Sequence, residues 1–529
     1  MCGVCGIVGP AAVEGVARMI KAMHHRGPDD WGIFEEEGIA LGHTRLAIID
    51  TSAGGHQPMS NAEQSVWITY NGEAYNYREE RERLRRQGYL FSTESDTEVV
   101  LHLYEEYGLN FAMHVRGMFA LAIYDRRLLQ PRLLLVRDHF GIKPLLFARL
   151  GSSLAFASEL KGLIASGLVE RRIDPVSLRL LLTHGSVPQP RSIIPGVEML
   201  LPGHLLVYEE GEINIHPYTH LQRNRMASMR TQPYPEQVRM LRNALEETVA
   251  SQMVSDVPIG AFLSGGIDSA ITAALMARHG ASRLKTFSVG FGSEGTDLDE
   301  TDDALRVAQF IGSDHTRVVV TGHEVRDRLD HMAYALDQPS IDGINAYLVS
   351  MAARELVTVA VSGTGGDELF AGYPWYAEMA RFDALKSRGG IRVEVQAFVG
   401  SVARHKWLDR TVSSPIGKIV DRLRTLGAFL PHYRRQYQIF GPSGAAAVLS
   451  SDWEYNSRGA PTPETVMACG DELAGGSAVD RVTALCLRGY TQNQLLRDID
   501  AVSMSHSLEV RVPFLDPTLS RQKRARDIS

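Results

Sequence analysis

Cysteine is scarce: four residues in a chain of 529 form no disulfide framework and point to a reducing compartment, read here as the cytoplasm. Long apolar runs are missing as well. No window approaches ~18 consecutive apolar residues, so no segment is read as spanning a membrane. There is no basic excess, because 55 Lys and Arg stand against 62 Asp and Glu, a formal net charge of −7. That balance argues against nucleic acid or an anionic membrane as partner. No internal repeat and no low-complexity tract is visible. The remaining composition, 44% hydrophobic and 22% charged, is that of an ordinary globular chain, and its length calls for more than one hydrophobic core.

Cys2 is the most informative residue present. Trimming Met1 would give a chain starting Cys-Gly-Val-Cys-Gly-Ile-Val-Gly. A free α-amine titrates near ~8, close to a thiol at ~8.5, so an N-terminal cysteine carries its own general base. The run Ile7-Val8-Gly9 reads as a buried strand that fixes it. Other readings stay open at this point. Cys2 and Cys5 could be a redox pair or half a zinc site, although Cys469 and Cys486 have no matching spacing. A lipidated cysteine would need a longer apolar segment than Met1 before it. A plain structural thiol is the third alternative.

The first 215 residues alternate β-rich runs with turns, namely Gly38–Gly42, Ser65–Tyr70, Phe119–Tyr124, Leu133–Val136 and Leu205–Tyr208, with one clear helix at Thr97–Tyr107. Residues 216–236 turn polar and irregular and read as a linker. From residue 237 the pattern predicts helix 237–253, strand 257–263, helix 269–279, strand 284–290, helix 302–312 and strand 315–320, a parallel α/β arrangement. Residues 380–490 read as mostly helical.

The strand Val257–Leu263 ends in Ser264-Gly265-Gly266-Ile267-Asp268-Ser269, where a helix begins. Two glycines admit close approach to the backbone, and free N–H groups at a helix start favour an anion. Asp268 would repel a bare phosphate, which implies a bridging Mg²⁺. A second turn, Ser362-Gly-Thr-Gly-Gly-Asp-Glu368, follows the apolar run Val357–Val361 and also ends acidic. Open α/β sheets bind ligands at that edge, so Asp268 and Asp367 could hold one metal from two sides. The dull reading is two unrelated turns.

In the first half, Arg26-Gly-Pro-Asp-Asp30, Gly42-His-Thr-Arg-Leu-Ala-Ile-Ile-Asp50, Tyr70-Asn-Gly-Glu-Ala-Tyr-Asn76 and Ser95-Asp-Thr-Glu98 stand out. Arg45 could clamp a carboxylate through its fork, and Asp96 could accept from an ammonium. The Asn71 amide and the Gly72 N–H could form an oxyanion hole. Alone, Arg45 would be a surface ion pair, Asn71-Gly72 a type I′ hairpin turn and Asp96 a helix N-cap. Asp138-His-Phe-Gly-Ile-Lys-Pro144 would be a turn.

These strings resemble the class II glutamine amidotransferases. Ser362–Tyr373 and Ser507–Asp516 are similar to the synthetase domain of glutamine-dependent asparagine synthetases, and the Ser264–Ser269 loop is similar to that of the pyrophosphate-loop ATPases. The resemblance implies an α+β N-terminal domain (1–215), a four-layer αββα sandwich of the Ntn-hydrolase type. An α/β C-terminal domain (237–529) follows, with a parallel Rossmann-like sheet and helical additions. It implies a Cys2 thioester with Asn71 and Gly72 as oxyanion hole, and glutamine contacts from Arg45, Leu46, Ala47, Ile48, Ile49, Glu73 and Asp96. ATP is expected at Leu263, Ser264, Gly265, Gly266, Asp268, Ser269, Val289, Ser362 and Gly363, with Mg²⁺ on Asp268 and Asp367. The run 138–144 is expected to serve structure and the domain interface. Glutamine, ATP and a carboxylate, classically aspartate, are the implied partners, with a homodimer left open.

Two departures shape the expectation. Thr364 stands where relatives carry an acidic residue or a tyrosine, and threonine is no base near pH 7. The chain also ends in a basic tail, Arg521–Ser529, where the family continues into a lysine-bearing segment. Beside glutamine-dependent asparagine formation, an impaired synthetase half therefore stays open, as does an acceptor other than aspartate, a peptide or a sugar acid.

Overall fold

The computed structural model describes residues 2–10, 12–219, 232–280, 282–291, 299–387, 428–457 and 476–522, with isolated positions between 395 and 423. The reading of Cys469, most of the 216–236 linker and the tail beyond Gln522 lie outside those residues.

Two six-stranded antiparallel sheets build the first half. One runs in space Val197–Met199, Leu146–Leu150, Ser153–Ala157, Gly3–Val8, Ile39–Arg45, Asp30–Glu36. The other runs Glu212–Pro217, His204–Glu209, Arg132–Arg137, Gly117–Asp125, Val66–Ala74, Met59–Ser60. Gly117–Asp125 is buried along its whole length, and its two-residue alternation divides its side chains between two cores. Phe119, Leu121 and Ile123 pack with Val99, Val100 and Leu103 of helix Asp96–Tyr107. Ala120, Ala122 and Tyr124 pack with Val4, Leu41 and Phe156 of the opposing sheet. A third core sets Cys5, Ile7 and Ala40 against Val16, Met19 and Ile20 of helix Ala12–Ala22. The layers run helix, sheet, sheet, helix, as expected of an αββα sandwich.

The second half is a five-stranded parallel sheet in the order Asp314–Val319, Lys285–Gly290, Ile259–Phe262, Val359–Val361, Glu509–Arg511. The expected helices appear as Tyr234–Gln252, Ile267–His279 and Thr301–Ile311. In chain order the strands lie 3-2-1-4-5, so the direction of winding reverses between Ile259–Phe262 and Val359–Val361. Such a switch point opens a crevice beyond the carboxyl ends of the strands, where ligands bind.

The two halves share a core. Leu46, Ile48, Met118, Phe140 and Ile142 of the first pack with Val359, Leu496, Met504, Val512 and Leu515 of the second. The Asp138 turn supplies Phe140 and Ile142 to that seam, and one carboxylate organises it. Asp138 Oδ1 accepts from the N–H groups of Phe140, Gly141 and Ile142 at 3.0, 2.7 and 3.0 Å, and Oδ2 from Lys143 and Phe119 at 2.9 and 3.2 Å. All of this is buried. Asp138→Ala would strand several of these donors, so we expect a loss of about 3–5 kcal/mol of stability in urea denaturation. A loss below about 1 kcal/mol would mean that the turn holds itself.

Candidate functional site

Cys2 precedes the central strand Gly3–Val8, and the groups around it come from the opposing sheet, a short helical turn and a loop. Its backbone nitrogen donates to Asn71 Oδ1 at 2.9 Å, and its carbonyl accepts from Arg26 Nε at 3.0 Å. Cys2 is 8% exposed. Burial pushes its thiol up, opposed by the positive chain terminus, a Leu46 N–H and Arg45, so the thiol depends on a neighbouring base to ionise. Cys5, three residues on, turns into the helix-side core with Val16. Both thiols are free, and no group of three or more metal-ligating side chains converges among the described residues.

Asn71 and Gly72 sit inside strand Val66–Ala74, paired with Ala120 and Phe119, so they are no hairpin turn. Asn71 Nδ2 is buried without a hydrogen-bond partner. The N–H groups of Tyr70 and Ala74 leave the strand on its open edge, to Gln57 Oε1 at 2.7 Å and Asp96 Oδ2 at 2.9 Å. Alternation sends the Gly72 N–H to that same edge. A side chain at Gly72 would meet the Met118 carbonyl at 2.3 Å. The close pass of the adjacent strand is enough to require glycine here.

Arg45 is buried rather than a surface ion pair, and its NH1 donates to the Ser52 carbonyl at 2.8 Å while NH2 donates to the Asp50 carbonyl. It ties down the loop carrying Leu46, Ala47, Ile48 and Ile49. Leu46 and Ile48 enter the seam between the halves. Asp96 is not the helix cap; Ser95 caps that helix by accepting from Thr97 N–H. Instead the Asp96 carboxylate reaches Ala74 N–H, and Glu73 lies buried beside it. Burial pushes the Glu73 carboxyl well up, with Glu509 adding to the shift and Arg511 opposing it. Burial likewise pushes Asp96 up to about 6, against the Ala74 hydrogen bond. Two carboxyls desolvated together suit a cationic group.

At the switch point the two glycine-rich turns touch. A side chain on Gly363 would meet the Ser269 nitrogen at 2.6 Å, and one on Gly366 would meet Asp268 Oδ2 at 2.3 Å. Ser264 Oγ accepts from Gly266 N–H at 3.1 Å and lies 2.9 Å from Ser269 Oγ. Leu263 N–H donates to Phe287 O at 2.8 Å, and Val289 lies one strand further on. Burial raises the Asp268 carboxyl, with Asp367 second, and burial raises Asp367. Two oxygen donors converging beside polyphosphate-sized turns fit a hard cation such as Mg²⁺, which takes one or two carboxylates and its remaining ligands from phosphate and water. Thr364 Oγ1 lies 2.8 Å from Ser362 Oγ and brings no carboxylate.

Residues 1–219 match the glutamine amidotransferase domain family and residues 240–521 the asparagine synthase family. The chain is 33% identical over 533 residues to asparagine synthetase (glutamine-hydrolyzing) 1 of Bacillus subtilis, covering 98% of this chain and 79% of that one. It belongs to the glutamine-hydrolysing asparagine synthetase family. Asparagine synthetase 3 of the same organism is 31% identical over 399 residues, 71% of this chain and 64% of that one. An amidase, chry2, of Gibberella zeae is 28% identical over 550 residues, 96% of this chain and 78% of that one. As a member of this family the chain is a ligase that uses glutamine and ATP. No helix among the described residues is long and apolar enough to cross a membrane.

Sequence reasoning gave no role to Glu159, Asp500, Glu509 or Arg511, whose charges join the two halves. Arg26 NH1 donates to Glu159 Oε1 at 2.9 Å and NH2 to Asp500 Oδ2 at 2.8 Å, while Lys143 Nζ lies 3.4 Å from Asp500 Oδ1. Arg511 pairs with Glu509 and faces Glu73. The available signal was the Glu509-Val-Arg511 alternation, which puts two charges on one face of an apolar strand. The raised Asp96 carboxyl, within the Glu73–Asp96 pair, has a functional consequence. Above about pH 6 the carboxylate is an anion that would attract an ammonium group placed beside it; below it, protonation would remove that attraction. The glutaminase kcat/KM should therefore fall on the acid side with an apparent pKa near 6, and Asp96→Asn should lower the plateau about 10²-fold. A profile unchanged by Asp96→Asn would remove Asp96 from the site.

Proposed function

We propose that this chain converts aspartate, glutamine and ATP into asparagine, glutamate, AMP and pyrophosphate, with ammonia passing between two sites. What carries this reading is the unpartnered Asn71 amide beside a buried Cys2, in the same chain as paired acid-ended turns at a sheet switch point. After removal of Met1, the Cys2 α-amine, oriented by Asn71 Oδ1, takes the thiol proton. Sγ then attacks the glutamine amide carbon. Asn71 Nδ2 and the Gly72 N–H receive the oxyanion, the amine returns its proton to the leaving ammonia, and water cleaves the thioester to glutamate. Arg45, through its remaining donors, binds the substrate carboxylate, and Glu73 and Asp96 bind its ammonium. Leu46, Ala47, Ile48 and Ile49 form the wall.

In the second site Leu263, Ser264, Gly265, Gly266, Ser269, Val289, Ser362 and Gly363 cradle ATP. The acceptor carboxylate attacks the α-phosphorus, and pyrophosphate leaves. Ammonia then attacks the acyl carbon and AMP leaves. Asp268 and Asp367 would hold Mg²⁺, which offsets the charge of the departing pyrophosphate. The acceptor's own carboxylate is the nucleophile of the first step; because Thr364 contributes a hydroxyl and no base, the proton lost by the attacking ammonia leaves on the AMP phosphate. The absence of an acid at Thr364 favours one second reading, an acceptor other than aspartate such as a peptide or a sugar acid.

The test is to supply glutamine, ATP, Mg²⁺ and aspartate and to follow glutamate, asparagine, AMP and pyrophosphate together. Equal release of asparagine, AMP and pyrophosphate is expected. Pyrophosphate without asparagine, restored by another carboxylate, would give the second reading. Glutamate alone with every carboxylate would mean an impaired synthetase half. Cys2→Ala should abolish glutamate release and spare amide formation from added ammonia. Asp268→Asn and Asp367→Asn should each cut pyrophosphate release at least about 10²-fold and leave glutaminase turnover intact. Equal loss of both activities in any of the three would break the two-site scheme.

A further inference from the structure

We propose that Arg511, a residue of the synthetase domain, is a positioning residue for glutamine, acting through Glu73 in the other domain. The inference rests on the glutaminase reading above. The Arg511 side chain has no solvent exposure, and nearly all its donors are committed. Nε donates to Glu509 Oε1 at 2.6 Å, and NH1 donates to the carbonyls of Gln252 and Val254, each at 2.7 Å. The guanidinium plane is thereby fixed at the edge of the parallel sheet, with its face 5.7 Å from the Tyr75 ring centroid.

One nitrogen remains. NH2 lies 3.5 Å from Glu73 Oε2, an ion pair without hydrogen-bond geometry, and neither atom has another hydrogen-bond partner. Glu73 stands two residues after Asn71 on one strand, so both side chains share the face that looks toward Cys2. A buried carboxylate with a bare oxygen has two ways to be satisfied here: the fixed guanidinium on one side, and a cation delivered by substrate on the other. Arg511 supplies the first. It favours the ionised Glu73 against burial and against Glu509, and it sets the carboxylate's direction without saturating it. The second position suits the α-ammonium of glutamine. Glutamine recognition thus depends on a strand that belongs to the ATP-using half. That strand is hydrogen bonded into its own site as well, because the Arg511 carbonyl accepts from Ser362 N–H at 2.8 Å.

A double-mutant cycle on glutamine hydrolysis tests this. Arg511→Lys, which keeps the charge and loses the fork, should raise KM for glutamine roughly tenfold and change kcat little. In a Glu73→Gln background the same substitution should change KM less than about twofold. Glu509→Gln, which leaves the guanidinium to Glu73, should also raise KM in the parent and not in Glu73→Gln, and it serves if Arg511→Lys does not fold. A second readout separates positioning from general damage. Inhibition by glutaramate, a glutamine without the α-ammonium, should be the same for the parent and for either variant. Additive KM effects, a loss of kcat at constant KM, or an equal loss of glutaramate binding would overturn the role of Arg511. A parent chain that releases no glutamate from glutamine would instead overturn the reading on which it rests.

Discussion

Burying a guanidinium away from solvent is costly unless its charge and donors are answered, and Arg26 meets that condition by drawing on three parts of the chain. It donates to the carbonyl of Cys2, to Glu159 on the same domain and to Asp500 on the other. Removing one partner from such an arrangement leaves a charge buried and uncompensated, typically costing about 3–5 kcal/mol. The two domains therefore cannot slide past each other without stranding Arg26, and Cys2 is held by the same contact. Lys143, Lys161 and Asp337 extend the network along the interface.

Around that polar anchor the seam is apolar: Met118, Phe140 and Ile142 face Leu487, Leu496 and Met504. The combination is suited to passing a small neutral molecule. In the proposed scheme, ammonia that travels uncharged would lose little by leaving water for such a seam. Arg511 adds a further tie, since one residue touches Glu73 by its side chain and Ser362 by its carbonyl.

The sheets were legible where apolar runs are long and bounded by turns. Strands 284–290 and 315–320 emerged within a residue or two as Lys285–Gly290 and Asp314–Val319. Asp30–Glu36, an edge strand that exposes Trp31 and Glu35, carries no such run. Glu509–Arg511 has three residues and belongs to the sheet only through Val359–Val361. Among the described residues, Leu487–Leu495 winds wider than an α-helix, so a 3.6-residue period fades there. Within the site, Cys2, Asn71, Glu73 and Asp96 could be named from motif strings because each string is local. The Arg26–Asp500 and Arg511–Glu73 pairs join residues hundreds of positions apart, and no local pattern announces a partner at that distance.

The central claim, one chain with two sites joined through a closed interface, is tested most directly by isotope. Glutamine labelled with ¹⁵N at its amide is supplied with ATP, Mg²⁺ and the accepted carboxylate, in the presence of excess unlabelled ammonium. Product amide carrying chiefly ¹⁵N, whatever the bulk ammonium concentration, is the result this account predicts. Product whose ¹⁵N content follows the bulk ratio would show that ammonia leaves to solvent first, and would contradict it.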